Sequence, residues 1–352
     1  MKTFKKIHVC LVAFGLVICG FASAQTQSRE IKKDFQINKG DLLEIENKFG
    51  DIDVQSWDKP ELSISVKLSA DAKSDASAKS IIDKMSVEIK QENNTITART
   101  VFNNESGMSQ GNRFAINYTV YVPKWMNLNL VNKFGNIHID EISGLVNIDL
   151  KHGDLRIMSL LRDNEKPYNQ IVMAFSNGII DHAGSLNLIL SFSKLEVEEA
   201  DIFVVETKYS GINAIICNSF TCESKYDNFK LNEVRNLSGM LQYSNLRVGK
   251  FSGNLELEST YTGVKLDQVL PSFESMKITN VRGSYKIGVH PETSFDFNGT
   301  SSRGEINLEG FDILEKKTDG NTKTIRAVGG TEGTGKFINV SVEAGSVSLF
   351  KN

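Results

Sequence analysis

Proline is scarce in this chain of 352 residues: there are five, and none lies between Pro167 and Pro271. Proline has no backbone N–H to donate and is therefore excluded from strands that are paired on both sides. A stretch this long without proline is what an array of central β-strands requires. The middle of the chain is therefore predicted to pair extensively as strands.

The chain also lacks a block of basic residues and an amphipathic helix rich in lysine and arginine. Its formal net charge is −3, and it becomes −6 if a leader that carries three of the 40 basic residues is removed. This mildly acidic, evenly spread charge argues against nucleic acid and an anionic membrane surface as partners. No segment after residue 24 approaches the roughly 20 apolar residues of a transmembrane helix, so no membrane span is predicted.

Residues 1–24 have the three parts of a secretory signal peptide: a lysine-rich start, an apolar run and small residues at the end. We predict cleavage between Ala24 and Gln25 and an exported mature chain, located in the periplasm, on the outer surface or outside the cell. Cys19 offers the alternative of a lipoprotein signal. However, the residue before a lipidated cysteine should be small, and here it is Ile18.

A repeat of about 17 residues dominates the sequence. Aromatic residues recur at this spacing, with one step of 18, as Phe192, Tyr209, Tyr226, Tyr243 and Tyr261. Apolar residues recur at fixed offsets from each aromatic, at −6 and −4 before it and at +3, +5 and +8 after it. The same frame fits around Phe49, Phe134 and His152, so the repeat extends well towards the N-terminus.

The apolar spacing within each unit is 2, the period of a β-strand with one buried face. The phase slips once per unit, just after the aromatic. Pairs such as Gly135-Asn136 and Asp227-Asn228 stand there, and these residue types tolerate a left-handed or bent backbone. Each unit is therefore predicted to be strand, corner, strand, corner. Because one unit cannot bury its own apolar face, units must stack, each strand pairing with its equivalent in the next coil.

These patterns predict an all-β chain: a β-solenoid, or β-helix-like fold, of two-strand coils over residues 126–312, with a final coil near 337–350. A β-sandwich of short, regularly spaced strands is the alternative, but a sandwich has no reason to hold a 17-residue period. The predicted solenoid domain, residues 126–352, includes a loop excursion at 313–336 that is rich in glycine and threonine.

Residues 25–125 contain a first coil around Phe49 and then interrupt the frame. Asp71–Met85 is predicted to be a short amphipathic helix, and Ser86–Val101 a hairpin with a polar turn. A polar segment, residues 103–112, is expected to be a loop. We predict that this α+β section caps the N-terminal end of the solenoid, where unpaired strand edges otherwise promote aggregation.

The recurring motif K-[FY]-[GS]-[DN]-I-x-[IV] is clearest at Asn47–Val54 and Asn132–Ile139, and Tyr118–Lys124 is a strand of the kind that precedes it. The motif resembles the bacterial "putative adhesin" β-strand-repeat family of envelope proteins, and the closing Ala344–Leu349 also fits. The resemblance covers nearly all of the mature chain. It implies an exported envelope protein, and it carries over no catalytic residues because the family defines none.

The chain offers few groups for catalysis, and we predict no catalytic, cofactor-binding or metal-binding residues and no cofactor. The aromatic column is predicted to be a stacked internal ladder of the core, with a sugar-stacking platform as the alternative. His152 takes an aromatic slot of this column and His138 is placed on the outward face, so no shared metal site is expected. Four outward acids are expected to be solvated rather than a catalytic pair: Glu196, Glu198, Glu199 and Asp201.

Cys217 and Cys222 are the two cysteines that remain after removal of the leader, and both take inward positions that flank one corner. The exported compartment permits a disulfide between them, and five residues across a turn could bring their Cα atoms within bonding range. The favoured interpretation is two buried thiols that act as small apolar residues.

The leading functional hypothesis is a non-enzymatic envelope or secreted protein that works by surface contact, adhesin-like or as a scaffold. Its partner would be a surface glycan or an envelope protein. A periplasmic accessory or sensor component is the second hypothesis, and a polysaccharide-active β-helix enzyme is the third. Protease treatment of intact cells separates the first two, and a glycan-degradation screen tests the third.

Overall fold

The computed structural model describes residues 25–103 and 112–352. The predicted signal peptide, residues 1–24, and most of the predicted loop at 103–112 therefore lie outside the described residues. The described part is all-β: 27 strands join in one large mixed sheet, accompanied by one helix. In these two ranges no helix has the length and hydrophobicity needed to cross a membrane.

The N-terminal part surrounds the first coil. Its elements are β1 (Gln25–Gln36), β2 (Leu42–Lys48), β3 (Ile52–Trp57), β4 (Glu61–Ala72), α1 (Asp75–Ile82), β5 (Met85–Glu92), β6 (Thr95–Phe102) and β7 (Arg113–Pro123). β4 pairs antiparallel with β1 and β7, and β5 and β6 form the predicted hairpin. β6 lies parallel to β2, and β7 lies parallel to β3.

Helix α1 is shorter than predicted, because β4 continues to Ala72 and β5 begins at Met85. The Ser74 hydroxyl caps it by accepting a hydrogen bond from the Ser77 N–H at 3.2 Å. Its buried face consists of Ala78, Ile81 and Ile82, and it packs against β1 and β4. The predicted amphipathic helix is thus confirmed with shorter bounds.

The central part consists of stacked parallel strands, and each repeat unit is called a coil below. The strands are β8 (Asn127–Lys133), β9 (Ile137–Ile142), β10 (Val146–Lys151), β11 (Asp154–Leu160), β12 (Asn169–Ala174), β13 (Asn177–Ser191), β14 (Lys194–Lys208), β15 (Gly211–Lys225), β16 (Asn228–Gln242), β17 (Asn245–Phe251), β18 (Asn254–Thr260) and β19 (Gly263–Val269). The repeat predicts two strands per unit, but β13, β14, β15 and β16 are continuous strands of 15 residues that span both predicted strands of a unit. Residues at equivalent positions lie directly opposite one another, as in the row Leu195, Ile212, Phe229 and Leu246. The predicted in-register pairing of neighbouring units is confirmed.

The C-terminal part departs from sequence order. Its strands are β20 (Ser275–Val281), β21 (Ser284–Val289), β22 (Phe295–Ser302), β23 (Glu305–Glu309), β24 (Asp312–Asp319), β25 (Thr322–Gly329), β26 (Phe337–Glu343) and β27 (Ser346–Lys351). β26 and β27 pair parallel with β20 and β21 on one side and with β22 and β23 on the other. The last coil in sequence is therefore not the last in space.

The prediction of a loop excursion at 313–336 is wrong, because most of this segment forms strands. β24 and β25 form an antiparallel hairpin there, and β25 also pairs antiparallel with β22. β24 is almost entirely exposed, so it lacks the alternation of apolar and polar residues that reveals a strand in a sequence. β25 buries Ile325 and Ala327 over the outermost coil.

The core is a column of inward side chains that follows the predicted frame. Leu195 and Leu231 are 1% exposed, and Lys194 and Lys230 beside them are exposed. The strand period of 2 is sufficient to assign these positions, because successive side chains point to opposite faces. The corners do not follow this rule.

Candidate functional site

One residue in each coil has a left-handed backbone at the corner, with φ between 50° and 66°. Nine of these residues have ring side chains: Phe49, Phe134, His152, Phe175, Phe192, Tyr209, Tyr226, Tyr243 and Tyr261. In the coils that follow, the position is held by Arg282, Arg303 and Ala344. For residues other than glycine, asparagine and aspartate this conformation is uncommon and costs about 1–2 kcal/mol each.

The left-handed residue is therefore the aromatic itself, not the glycine, serine, aspartate or threonine after it. The residue that follows is small because neighbouring corners nearly touch. A Cβ on Gly135 would lie 1.9 Å from the Gly50 carbonyl oxygen. In later coils the position is polar and buried, and the Ser193 N–H donates to Ser210 Oγ at 3.2 Å while Ser193 Oγ donates to the Ser191 carbonyl at 2.8 Å. These hydrogen bonds fix the corner backbone.

The nine corner rings form a continuous stack, called the aromatic ladder below. Consecutive ring centroids are 4.9–5.3 Å apart and the ring planes differ by 2–20°. The phenylalanine and tyrosine rings from Phe134 to Tyr261 are 39–55% exposed. With one ring per strand spacing the ladder is roughly 40 Å long.

The prediction of an internal ladder is thus half wrong. Phe192, Tyr209, Tyr226, Tyr243 and Tyr261 do stack, but they lie on the surface. Alternation along the strand would have turned these residues inward, and the left-handed backbone reverses their direction. One signal in the sequence could have revealed this. No aliphatic residue larger than alanine occupies the corner column, whereas inward columns mix aliphatic and aromatic residues freely.

Both ends of the ladder are covered. Phe49 meets Phe102 and Phe114 edge to face, at centroid distances of 5.9 Å and 5.2 Å. At the other end the Arg282 guanidinium lies 5.5 Å from the centre of the Tyr261 ring and donates to its hydroxyl at 2.7 Å. Ring faces are consequently occupied along the whole ladder. The surface offers ring edges and a row of four tyrosine hydroxyls, not free faces on which a sugar ring could stack.

A shallow groove runs beside the ladder. Three ladder rings, Phe192, Tyr209 and Tyr226, line it together with outward residues of the following strands, which include Asn177, Lys194, Gly211, Asn213 and Asn228. A second groove begins at Asn228 and continues across the next three coils. The Asn245 amide donates to Asn228 Oδ1 at 3.1 Å, so amide side chains also stack from coil to coil. Ladder rings therefore border the first groove only, and the second groove is lined mainly by polar and charged side chains.

The other candidate groups are dispersed. His138 is exposed on the outward face as predicted, and His152 is exposed within the ladder, stacked between Phe134 and Phe175. Among the described residues no group of three His, Cys, Asp or Glu side chains could hold a metal ion. Of the outward acids, Glu196, Glu198 and Glu199 are exposed, and Asp201 is half-buried and accepts hydrogen bonds from two asparagines.

Cys217 and Cys222 are free thiols and both are buried. Burial raises the pKa of each thiol to about 12. Cys217 Sγ donates to the Ser219 carbonyl at 3.2 Å. Because the thiolate is the reactive form, neither side chain is suited to nucleophilic chemistry at neutral pH.

Comparison with known proteins finds no matching family model and no matching curated protein. Several solved structures are similar to this chain, among them three from bacteria. A "putative cell adhesion protein" from Clostridium sporogenes is 10% identical, covering 93% of this chain and 100% of its own, with a TM-score of 0.20. A "putative adhesin" from Parabacteroides distasonis is 11% identical, and the match covers 75% of this chain and 97% of that protein's chain, with a TM-score of 0.31. A "putative adhesin" from Bacteroides fragilis is 9% identical, and the match covers 92% of this chain and 97% of that protein's chain, with a TM-score of 0.25.

Proposed function

We propose that this chain is an exported, non-enzymatic protein of the bacterial envelope that acts by surface contact, adhesin-like or as a scaffold. We further propose that the contact surface is the exposed edge of the aromatic ladder. One observation carries this proposal: bulky rings occupy left-handed corner positions in nine coils and stay exposed in eight of them, from Phe134 to Tyr261. Glycine or asparagine would hold the same backbone at lower cost, so the rings serve something other than the turn.

The exposed ring edges support a contact role. A monomeric soluble protein seldom exposes a long contiguous apolar patch unless the patch is a binding site. Stacking contributes some stability, about 0.5–1.5 kcal/mol for each aromatic pair. That gain is offset by about 1–2 kcal/mol of backbone cost at each corner. Stability alone therefore gives little reason to keep the rings.

We propose a β-solenoid over residues 126–352 as the scaffold that carries the ladder. The in-register parallel rows, spaced by one repeat, support this winding. Residues 25–125 form the N-terminal section, and β6 and β7 cover the outer edges of the first coil. β25 covers β22 at the opposite end. Covering these strand edges reduces edge-to-edge aggregation.

Export is proposed from the leader, residues 1–24, with cleavage before Gln25. Secreted protein from an expressing bacterium should begin at Gln25 by N-terminal sequencing and carry no acyl chain by intact mass. A chain that begins at acylated Cys19 would replace this proposal with a lipoprotein. Protease treatment of intact cells then separates an outer-surface location, where the protein is cut, from a periplasmic one.

The ladder is tested with the triple variant Tyr209→Asn, Tyr226→Asn, Tyr243→Asn. Asparagine tolerates the left-handed corner, so the backbone should be retained while three rings are removed. Beads coated with the mature chain are passed under flow over bacterial cells and over immobilised envelope fractions. Beads with the natural sequence should be retained, and beads with the triple variant should lose most of that retention.

The matched control removes exposed apolar residues away from the ladder: Ile215→Thr, Ile216→Thr and Met240→Thr. These side chains are 47–51% exposed, and threonine suits their strand positions. Circular dichroism checks that all variants fold. Retention that is equal for the ladder variant and the natural sequence, or a larger loss in the control than in the ladder variant, contradicts the contact role of the ladder.

A further inference from the structure

Four cations lie side by side on the second groove. Lys230, Arg247, Lys265 and Lys286 are directly opposite one another on β16, β17, β19 and β21. All four are exposed, and all four line this groove, which has a volume of about 410 Å³. They are called the cation row below. Adjacent members are one strand spacing apart, about 4.8 Å.

A row of like charges in register costs stability, because directly opposed charges of one sign repel. Elsewhere on these strands opposite charges pair across the gap, as in Lys250 and Glu233 at 2.6 Å. Within the described part of the chain, Asp267 is the one carboxylate in ion-pair contact with the row, at 2.9 Å from Arg247 and 2.7 Å from Lys265. The row therefore keeps a surplus of positive charge that the protein itself does not neutralise.

Neutral hydrogen-bonding groups accompany the cation row. Two residues before each cation, and in the same register, lie Asn228, Asn245, Gly263 and Ser284. They line the same groove and connect it, through Asn228, to the groove beside the ladder rings. The surface thus carries a cation in each of four neighbouring strands and a polar side chain beside three of these cations, since Gly263 has no side chain.

We propose that the cation row and its polar neighbours bind a linear acidic polysaccharide that lies along the stacking axis. This inference rests on the proposed contact function and names the class of ligand. Each coil advances by about 4.8 Å, close to the length of one extended pyranose unit. A glycan chain can therefore meet one cation with each of four successive sugars and an asparagine or serine side chain with three of them. Uronate carboxylates or sulfates supply the negative charge, and sugar hydroxyls meet the asparagine and serine side chains.

One feature favours a polysaccharide over single-stranded nucleic acid. Proteins that hold single strands stack the bases on open aromatic faces, and the ladder faces are covered by neighbouring rings. The formal charge of the whole chain is −3, so the positive charge that would attract an acidic ligand is local to the cation row.

The test uses the mature chain and fluorescently labelled oligogalacturonate of six sugars. The variant Lys230→Gln, Arg247→Gln, Lys265→Gln, Lys286→Gln removes the row. The matched control removes four exposed, scattered cations: Lys32→Gln, Lys90→Gln, Lys277→Gln and Lys317→Gln. We expect the row variant to bind at least about tenfold more weakly than the natural sequence, since each surface contact contributes up to about 1 kcal/mol. The control should bind within about twofold of the natural sequence.

The melting temperature of the row variant checks that it folds. It should be unchanged or slightly raised relative to the natural sequence, because the mutual repulsion within the row is removed. Added salt should weaken binding by the natural sequence. Three results overturn the proposal: equal binding by the row variant and the natural sequence, equal binding of a neutral hexasaccharide, or tighter binding of an oligothymidine strand. The last result would assign the row to nucleic acid.

Failure here is distinguishable from failure of the contact function. Suppose that beads coated with the ladder variant are no longer retained while no acidic glycan binds to the natural sequence. The contact function then stands, and the proposed class of ligand is wrong. If beads coated with the ladder variant are retained as well as beads coated with the natural sequence, the ladder is not the contact surface. Glycan binding that depends on the cation row would then support this proposal with the row, not the ladder, as the site.

Discussion

Thr207 and Asp227 belong to neighbouring coils, and inside the stack the Thr207 hydroxyl donates to Asp227 Oδ2 at 2.7 Å. The same carboxyl group accepts from Ser224 Oγ at 2.9 Å and from the backbone N–H groups of Ser210 and Lys225 at 2.6 Å and 2.8 Å. Asp227 is 1% exposed. Four donors therefore replace the water that this side chain loses on folding, and they tie two corners of the ladder together.

Asp227→Ala should lower the free energy of unfolding by about 3 kcal/mol, because four buried donors lose their acceptor. Asp227→Ser should cost clearly less. Ser244 holds the equivalent place in the next coil, and a hydroxyl can still accept from the Ser210 N–H. Denaturant unfolding of the two variants measures the difference. Equal stability of the alanine and serine variants would mean that the buried network contributes little.

The inward frame is tested by two neighbouring residues on β16. Leu231 is 1% exposed, and Asn232 beside it is exposed. Leu231→Asp should cost several kcal/mol, because an acidic group enters an apolar interior without a partner. Asn232→Asp should change stability by no more than about 0.5 kcal/mol. The melting temperatures of the two variants provide the comparison. A similar decrease in melting temperature for both would contradict the assignment of inward and outward faces.

The proposed winding is tested by deleting one whole unit, Tyr226 to Gln242. Tyr243 then follows Lys225 as Tyr226 did, and Ser244 takes the corner place of Asp227. In a solenoid each coil contacts mainly its neighbours, so stability is close to a sum of local interfaces. We expect a well-behaved, β-rich deletion variant with a modest loss of stability.

A sandwich would lose β16 from one closed core on the same deletion. An unfolded or aggregated product would therefore oppose the solenoid, provided that conservative substitutions within the deleted segment are tolerated. Circular dichroism and gel filtration provide the measurements. A deletion of eight residues, Tyr226 to Glu233, serves as the control, because it breaks the frame and should not fold.

The buried thiols predict a loss of stability in alkali. Burial raises the pKa of Cys217 and Cys222 from 9.0 to about 12 in the folded state. The folded state therefore keeps protons that the unfolded state releases. The contribution of these protonated thiols to the free energy of unfolding is fully present below pH 9 and is lost as pH rises towards 12. At pH 10.5 each thiol should reduce stability by about 2 kcal/mol relative to pH 8.

The variant Cys217→Ala, Cys222→Ala should accordingly lose less stability than the natural sequence between pH 8 and pH 10.5. Burial also raises the pKa of Tyr118 and of Tyr285. Both tyrosines are present in the two proteins, so their contributions to the comparison nearly cancel. Thermal unfolding at the two pH values provides the comparison. Identical losses would argue against two buried free thiols. Intact mass with and without alkylation would then report whether a disulfide joins them.

Leu231 and Tyr226 show where inference from the sequence succeeds and where it fails. The inward position of Leu231 follows from alternation along a strand, which depends only on local backbone geometry. Alternation also places Tyr226 inward, yet its ring is 39% exposed. The left-handed backbone at the corner reverses it, and that backbone is held by contacts with the next coil, such as the hydrogen bond from the Tyr226 N–H to the Gln242 carbonyl.

The C-terminal order shows a second limit. The apolar spacing at Val347 and Leu349 identifies a coil, and the structure contains it as β27. Nothing in the spacing says that this coil inserts between those of β21 and β23. Any coil edge can pair with any other in register, because the backbone hydrogen bonds are the same. The choice depends on how the chain between them is routed, here through the hairpin of β24 and β25.

The repeat itself is determined by the sequence alone, since a period of 2 within strands and a small residue after each corner aromatic suffice to define a stackable unit. The cation row is decided only by the tertiary structure. Lys230, Arg247, Lys265 and Lys286 are 17, 18 and 21 residues apart, and no window of the sequence contains them as a basic block. Strand pairing absorbs the extra residues in the turns and restores the register, so charges that are scattered along the chain meet at one strand spacing.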